Sequence, residues 1–162
     1  EDAPVQAVNF NCPGQVVIAG EAGAVEKACG ALKEAGARRA VMLKVSAPFH
    51  STLMEPAAKR LKEVLDIISI HDTLIPVFAN VNAKEETKAD EIRKNLVDQA
   101  AHAVHWEESV RNMIAGGVDC TVEVGPGTVL SGFMRKIDRS VTNLHAEDID
   151  TINEVVSTLK GE

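Results

Sequence analysis

The apolar residues of this chain follow two spacings, and each spacing predicts one kind of secondary structure. Short apolar runs bounded by Gly, Pro or Asn are typical of strands, whereas apolar residues three and four positions apart are typical of one helix face. Runs of the first kind predict strands at 5–10, 15–19, 39–45, 75–80, 120–124 and 141–144. The second spacing predicts helices at 22–35, 53–68, 91–101, 106–115 and 129–137, and a last helix that ends near residue 159. We expect Asp90 to cap the third of these helices, and Asp150 or Thr151 to cap the last one.

The order of these elements predicts the fold class. Strands alternate with longer helical segments, which is typical of an α/β protein with a mainly parallel sheet. The first part differs, because its order is strand, turn, strand, helix, strand. That order matches most of a βαββαβ ferredoxin-like unit that lacks its first strand and helix. We therefore expect a partial ferredoxin-like α+β subdomain at 1–47 and a separate α/β portion at 48–162.

Composition and charge narrow the class of function. The chain has 162 residues, enough to bury the core of one domain, and its net charge of −7 argues against a nucleic-acid partner. Aromatic residues make up only 3% and Tyr is absent, so base-stacking surfaces are not expected. The sequence has no apolar run of membrane-spanning length and no signal-peptide pattern, which predicts no membrane association. Three widely spaced cysteines without a C-x-x-C pair predict a reducing, cytoplasmic compartment.

The turn at 46–51, Ser-Ala-Pro-Phe-His-Ser, carries the best candidate for chemistry. It follows the predicted strand at 39–45, and Pro48 prevents a helix there and favours extended geometry at Ala47. His50 is thereby placed at the surface end of a core element, where reacting side chains are often mounted. A neutral imidazole can take and return a proton near pH 7, so His50 is a candidate general base. The alternative is a turn histidine that is hydrogen-bonded to a backbone carbonyl.

Two other patterns resemble ligand sites but lack residues that such sites need. Gly125-Pro126-Gly127 resembles a phosphate-binding loop, but it has neither the Walker lysine nor the G-x-G-x-x-G order, so we interpret it as a turn. His102 and His105 could place two imidazoles on one face of a helix. Because no third ligand follows in a convincing pattern, no metal site is predicted.

Six segments occur in an order and spacing that together are highly specific. They are 8–20 (VNFNCPGQVVIAG), 46–51 (SAPFHS), 76–81 (PVFANV), 96–99 (LVDQ), 104–106 (VHW) and 123–130 (EVGPGTVL). With these segments the chain resembles the C-terminal part of the bacterial malonyl-CoA:acyl carrier protein transacylase family. The resemblance implies that 48–162 is the C-terminal portion of a hydrolase-like α/β acyltransferase domain.

The resemblance also implies a reaction and two catalytic positions. In this family a serine at a Gly-x-Ser-x-Gly elbow attacks malonyl-CoA with the help of a histidine, and the malonyl group then passes to the phosphopantetheine thiol of acyl carrier protein. This ping-pong transfer serves fatty acid biosynthesis and needs no cofactor beyond these substrates. His50 matches the catalytic histidine. Gln99 matches the position whose backbone carbonyl orients the imidazole in place of a carboxylate.

Four further positions match the family's substrate groove. Asn9, Asn11 and Gln15 match positions near the acyl-CoA and pantetheine groove, and Gln15 is the most plausible polar contact. Asn9 and Asn11 could instead only form a turn. Phe49 resembles malonyl-selective members, since a bulky ring there leaves less room for a branched α-carbon.

The chain departs from the family pattern in what it lacks. It contains no Gly-x-Ser-x-Gly, and the arginine and oxyanion-hole residues of the family would lie in a missing N-terminal part. The start without methionine also suggests a cut inside a domain. We therefore expect a fragment that is inactive alone and whose partners are malonyl-CoA, acyl carrier protein and the missing part of the enzyme. The alternative is a non-catalytic module that binds acyl carrier protein through basic clusters such as Arg135, Lys136 and Arg139.

Overall fold

The computed structural model of the chain describes residues 3–161, so Glu1, Asp2 and Glu162 of the predicted domain ranges lie outside the described residues. Its strands are β1 (Val5–Cys12), β2 (Gln15–Gly20), β3 (Val77–Phe78), β4 (Glu85–Glu86), β5 (Cys120–Val124) and β6 (Thr142–Ala146). Its α-helices are α1 (Ala22–Glu34), α2 (Glu55–Asp66), α3 (Ala89–Asp98), α4 (Trp106–Ala115), α5 (Val129–Ile137) and α6 (Ile149–Lys160). A 3₁₀ turn at Thr52–Met54 precedes α2. Every predicted helix is therefore present, with ends that shift by a few residues.

The first two strands form an antiparallel hairpin, as the pattern of apolar runs predicts. Val5 pairs with Gly20 at the open end of the hairpin, and Cys12 pairs with Gln15 at the turn. Gly14 in this turn has φ 77°, a left-handed conformation that glycine adopts without steric cost. The two-residue connection leaves no other way to pair than antiparallel.

The only parallel strand pair among the described residues is β5 with β6, connected through α5. The pairs β1–β2 and β3–β4 are antiparallel, because short connections join them. The expectation of a mainly parallel sheet is therefore wrong for this part of the chain. A small parallel sheet with helices beside it remains, which keeps the chain in the α/β class.

The predicted strand at 39–45 is wrong, and the one at 75–80 shrinks to β3. Within residues 3–161 the first segment has no strand partner, and its apolar side chains are open to solvent, with Val41 53% and Val45 67% exposed. A strand needs a neighbouring backbone to complete its hydrogen bonds. Strand propensity without such a neighbour leaves these residues in irregular structure.

Two predicted helix caps are also wrong. The N-cap of α3 is Lys88 rather than Asp90, and the first amide of the helix, that of Ala89, donates 2.9 Å to Asp72 Oδ1. The N-cap of α6 is Asp148, whose side chain accepts from the amide of Thr151. In both helices the N-cap is the residue whose backbone is still extended, Lys88 with φ −90° and ψ 133° and Asp148 with φ −143° and ψ 179°.

The core joins the hairpin to the second half of the chain. Its buried members are Cys12, Val110, Met134, Ile137 and Val141, and Trp106, Ile114 and Phe133 pack against them. These residues come from β1, α4 and α5, except Val141, which directly precedes β6. Within residues 3–161, none of the helices has both the length and the apolarity that crossing a bilayer requires.

Candidate active site around His50

His50 and Gln99 are brought together by tertiary structure. The Nδ1 atom of His50 lies 2.7 Å from the carbonyl oxygen of Gln99, although 49 positions separate the two residues. A carbonyl oxygen can only accept, so Nδ1 carries the proton when the neutral imidazole makes this bond. Nε2 then keeps a free lone pair, which is what a general base needs. The bond to a backbone carbonyl is thus compatible with both interpretations of this histidine.

The backbone of His50 is held in an unusual conformation. Its φ is 62°, in the left-handed region that residues other than glycine seldom adopt. Such conformations cost about 1–3 kcal/mol and persist where the surroundings impose them. Beside it, the 1%-exposed Ser51 donates its hydroxyl 2.6 Å to the carbonyl oxygen of Pro48, and its amide donates to the same oxygen. Phe49 is 50% exposed on the outside of this turn.

Gln99 follows directly after the last turn of α3. Its amide donates 2.9 Å to the carbonyl oxygen of Asn95, so the helix fixes the backbone of Gln99. The side chain of Asn95 in turn donates to the carboxylate of Glu86 on β4, and both side chains are buried. The carbonyl that meets His50 is therefore built on an anchored helix end rather than on a free loop.

The other predicted groove residues lie on the hairpin. Asn9 is half-buried on β1, where the backbone pairs with Val104, and Asn11 is half-buried near the turn. The side-chain oxygen of Gln15 lies 3.7 Å from Cys12 Sγ and 3.4 Å from Lys136 Nζ. Within residues 3–161, no hydrogen bond joins these three predicted residues to His50.

The Gly125-Pro126-Gly127 loop agrees with its interpretation as a turn. The amide of Gly127 donates to Glu147, and at the start of α5 the amides of Leu130 and Ser131 donate to Glu123 at 3.0 and 2.7 Å. These carboxylates occupy donors that a bound phosphate would need. Burial opposes ionisation of Glu123, but the hydrogen bonds from Ser131 and Leu130 and the nearby His145 outweigh it and lower its pKa.

The two histidines considered for metal binding are engaged elsewhere. The Nδ1 atom of His102 lies 2.7 Å from the carbonyl oxygen of Asp98. The His105 ring stacks on Phe10, with ring centroids 5.4 Å apart. In the part of the chain that the structure describes, no three His, Cys, Asp or Glu side chains lie close enough to hold a metal ion.

Several contacts around the site could not be anticipated from sequence. Gln6 on β1 accepts a hydrogen bond from the amide of Thr52, just after the His50 turn. Glu86 and Asn95 support the Gln99 end of the site. Gln6, Glu86 and Asn95 belong to no short motif, because each is hydrogen-bonded to a residue on a different secondary-structure element.

Comparison with known proteins identifies relatives over nearly the whole chain. No protein-family model matches. The chain is 48% identical over 158 residues to the malonyl CoA-acyl carrier protein transacylase of Bacillus subtilis, covering 98% of this chain and 50% of that protein. The chain is thus homologous to these transacylases and spans about half the length of the curated relatives it matches.

Solved structures agree with this homology. The acyl-carrier-protein S-malonyltransferase of Burkholderia pseudomallei superposes with a TM-score of 0.94 at 40% identity, covering 96% of this chain and 51% of that one. A malonyl-transacylase in complex with a type II polyketide synthase acyl-carrier protein superposes with a TM-score of 0.92 at 42% identity, covering 99% and 51%.

Proposed function

We propose that this chain is the histidine-bearing part of an acyl-carrier-protein S-malonyltransferase. The enzyme would transfer malonyl from malonyl-CoA to the phosphopantetheine thiol of acyl carrier protein in fatty acid biosynthesis. The observation that carries the proposal is the contact between His50 Nδ1 and the Gln99 carbonyl, in a chain homologous to transacylases. Three thiols that form no disulfide support a cytoplasmic location.

The chain's role in the reaction is proton transfer through Nε2 of His50. With Nδ1–H held by Gln99, Nε2 accepts the proton of the attacking serine hydroxyl and then delivers it to the departing CoA sulfur. In the second half of the cycle Nε2 takes the proton of the phosphopantetheine thiol and returns it to the serine oxygen. A backbone carbonyl carries no full charge, so it fixes the tautomer and orientation while stabilising the imidazolium less than a carboxylate would.

The nucleophilic serine would lie outside these 162 residues. The sequence contains no Gly-x-Ser-x-Gly elbow, and the relatives are about twice as long as this chain. The apolar segment at 39–45 is exposed and unpaired within residues 3–161, which supports a second part of the enzyme that covers it. In the proposed organisation, 1–47 is a partial ferredoxin-like subdomain and 48–162 is part of a hydrolase-like α/β domain, and the second part would complete both. That second part would bring the serine to His50.

The substrate groove would run along the hairpin and the His50 turn. Asn9, Asn11 and Gln15 supply amide groups on this hairpin, which suit the polar amides of a pantetheine arm. The exposed ring of Phe49 adjoins His50 and would limit the room beside the malonyl α-carbon. No bound cofactor is required, since malonyl-CoA and the carrier's phosphopantetheine are the substrates.

The proposal is tested in the complete transacylase that contains this chain. His50→Gln should lower malonyl transfer from malonyl-CoA to acyl carrier protein by about 100-fold or more, because the general base is lost. His71→Gln, at an exposed position 21 residues after His50 in the sequence, is the matched control and should retain transfer. Normal transfer by His50→Gln would disprove the role of the base, and carrier binding without transfer by the parent enzyme would favour a non-catalytic module.

A further inference from the structure

Strand β1 contacts both segments that form the His50–Gln99 pair. Towards its start, Gln6 reaches the residue two positions after His50. Further along, the amide of Phe10 donates 2.9 Å to the carbonyl oxygen of Val104. The amide of Val104 donates 2.8 Å to the carbonyl oxygen of Val8. Val104 lies five positions after Gln99 in the sequence. One strand is therefore hydrogen-bonded both to the segment that follows His50 and to the segment that follows Gln99.

The contact of Gln6 replaces a missing helix cap. The N-cap of the 3₁₀ turn is Ser51, whose side chain makes no capping hydrogen bond because its hydroxyl points to Pro48. The first amides of a helix need acceptors from elsewhere. Gln6 Oε1 provides one, at 2.8 Å from the amide of Thr52 and 3.1 Å from its hydroxyl.

The backbone conformation of His50 makes the hydrogen bond between Thr52 and Gln6 important for the position of the imidazole. A left-handed residue that is not glycine relaxes unless the residues on both sides are held. Before His50, Pro48 restricts the chain, and after it Gln6 fixes Thr52 to the hairpin. Rotation of the His50 backbone would move Nδ1 away from the Gln99 carbonyl, whose own position depends on α3.

We propose that Gln6 is a positioning residue of the transfer reaction, which acts through Thr52 to hold His50 Nδ1 on the Gln99 carbonyl. This inference rests on the proposed function for its biological meaning. The geometry that it predicts can nevertheless be measured without any acyl transfer.

The experiment reads the tautomer of His50 in the complete transacylase that contains this chain, by long-range ¹H–¹⁵N NMR of the imidazole at a pH where it is neutral. The parent chain should show the Nδ1–H form. Gln6→Leu removes the hydrogen-bond acceptor and keeps a side chain of similar size. If the leucine variant does not fold, Gln6→Lys is used instead, because lysine also has no acceptor but keeps a long polar side chain. Both should lose the predominance of Nδ1–H. Gln6→Glu keeps an acceptor at the same reach and should restore it.

The control is Asn153→Leu, an equally polar-to-apolar exchange at an exposed position of α6. It should leave the His50 tautomer unchanged. Retention of the Nδ1–H form in a folded Gln6→Leu or Gln6→Lys chain would overturn the inference, as would its loss in Asn153→Leu or its absence in Gln6→Glu. A correct tautomer pattern together with an active His50→Gln enzyme would instead retain the positioning and reject the proposed function.

Discussion

The Nδ1 atom of His50 lies 2.7 Å from the backbone carbonyl oxygen of Gln99, so a main-chain group orients this imidazole. A main-chain carbonyl is present whatever side chain the residue carries. We therefore expect the side chain of Gln99 to be replaceable and the geometry of its peptide group to be required. This separates the site from arrangements in which a carboxylate side chain does the same work.

The first prediction concerns this peptide group. In the complete transacylase, Gln99→Ala should keep malonyl transfer within about threefold of the parent rate, since the carbonyl stays in place. Gln99→Pro should reduce it strongly, because proline removes the amide that donates to Asn95 and alters the helix end. Steady-state transfer rates measure both, and a severe loss in Gln99→Ala would show that the side chain matters.

The second prediction concerns the serine that adjoins the histidine. Ser51 is 1% exposed and its hydroxyl is committed to the Pro48 carbonyl, so it should not accept a malonyl group. Intact-mass measurement of this chain after incubation with malonyl-CoA should show no adduct. A malonyl adduct that disappears in Ser51→Ala would instead make Ser51 a nucleophile and contradict the proposed division of the site.

The third prediction concerns acyl selectivity. Replacing the half-exposed ring of Phe49 by alanine should raise transfer of methylmalonyl relative to malonyl in the complete enzyme. One methyl group in a pocket is worth about 1–3 kcal/mol, so the ratio of kcat/KM values should shift by about 10-fold to 200-fold at most. Competition between the two acyl-CoA substrates measures the ratio. An unchanged ratio would place the pocket elsewhere.

The fourth prediction concerns stability in acid. Because the pKa of Glu123 is lowered in the folded chain, its carboxylate stabilises the fold fully above the ordinary glutamate pKa of about 4.3. This stabilisation disappears as the pH falls through the lowered folded value. Glu123→Gln should therefore unfold at lower denaturant concentration at pH 7, by about 1 kcal/mol, and the difference from the parent should vanish in strong acid. A difference that persists unchanged at low pH would exclude the charge as its cause.

The fifth prediction concerns the core beneath the hairpin. Met134→Ala should lower the free energy of unfolding by about 2–5 kcal/mol, because this side chain is 4% exposed among the packed residues of β1, α4 and α5. Val129→Ala on the same helix should change it by less than about 0.5 kcal/mol, since Val129 is 64% exposed. Denaturant unfolding of the two variants compares them directly. Equal losses would mean that α5 packs differently.

The amino-acid sequence alone determined every helix and most of the strands, and it pointed to the family. The helix at 106–115 and the strand at 120–124 were predicted with the bounds that the structure has, because their apolar spacing is strong and glycines or a turn end them. His50 could be singled out because proline and the surrounding strand and helix patterns place it on a turn. These are properties of neighbouring residues.

Tertiary structure decided what depends on residues far apart in the chain. The pairing of His50 with Gln99, the capping of α3 by Asp72 and the support of Thr52 by Gln6 all join positions that no local pattern connects. The segment at 39–45 shows the same limit, since its apolar residues favour a strand but pairing requires a neighbour. Local spacing fixes the preference of a segment, whereas hydrogen-bond partners and burial from elsewhere determine whether that preference is realised.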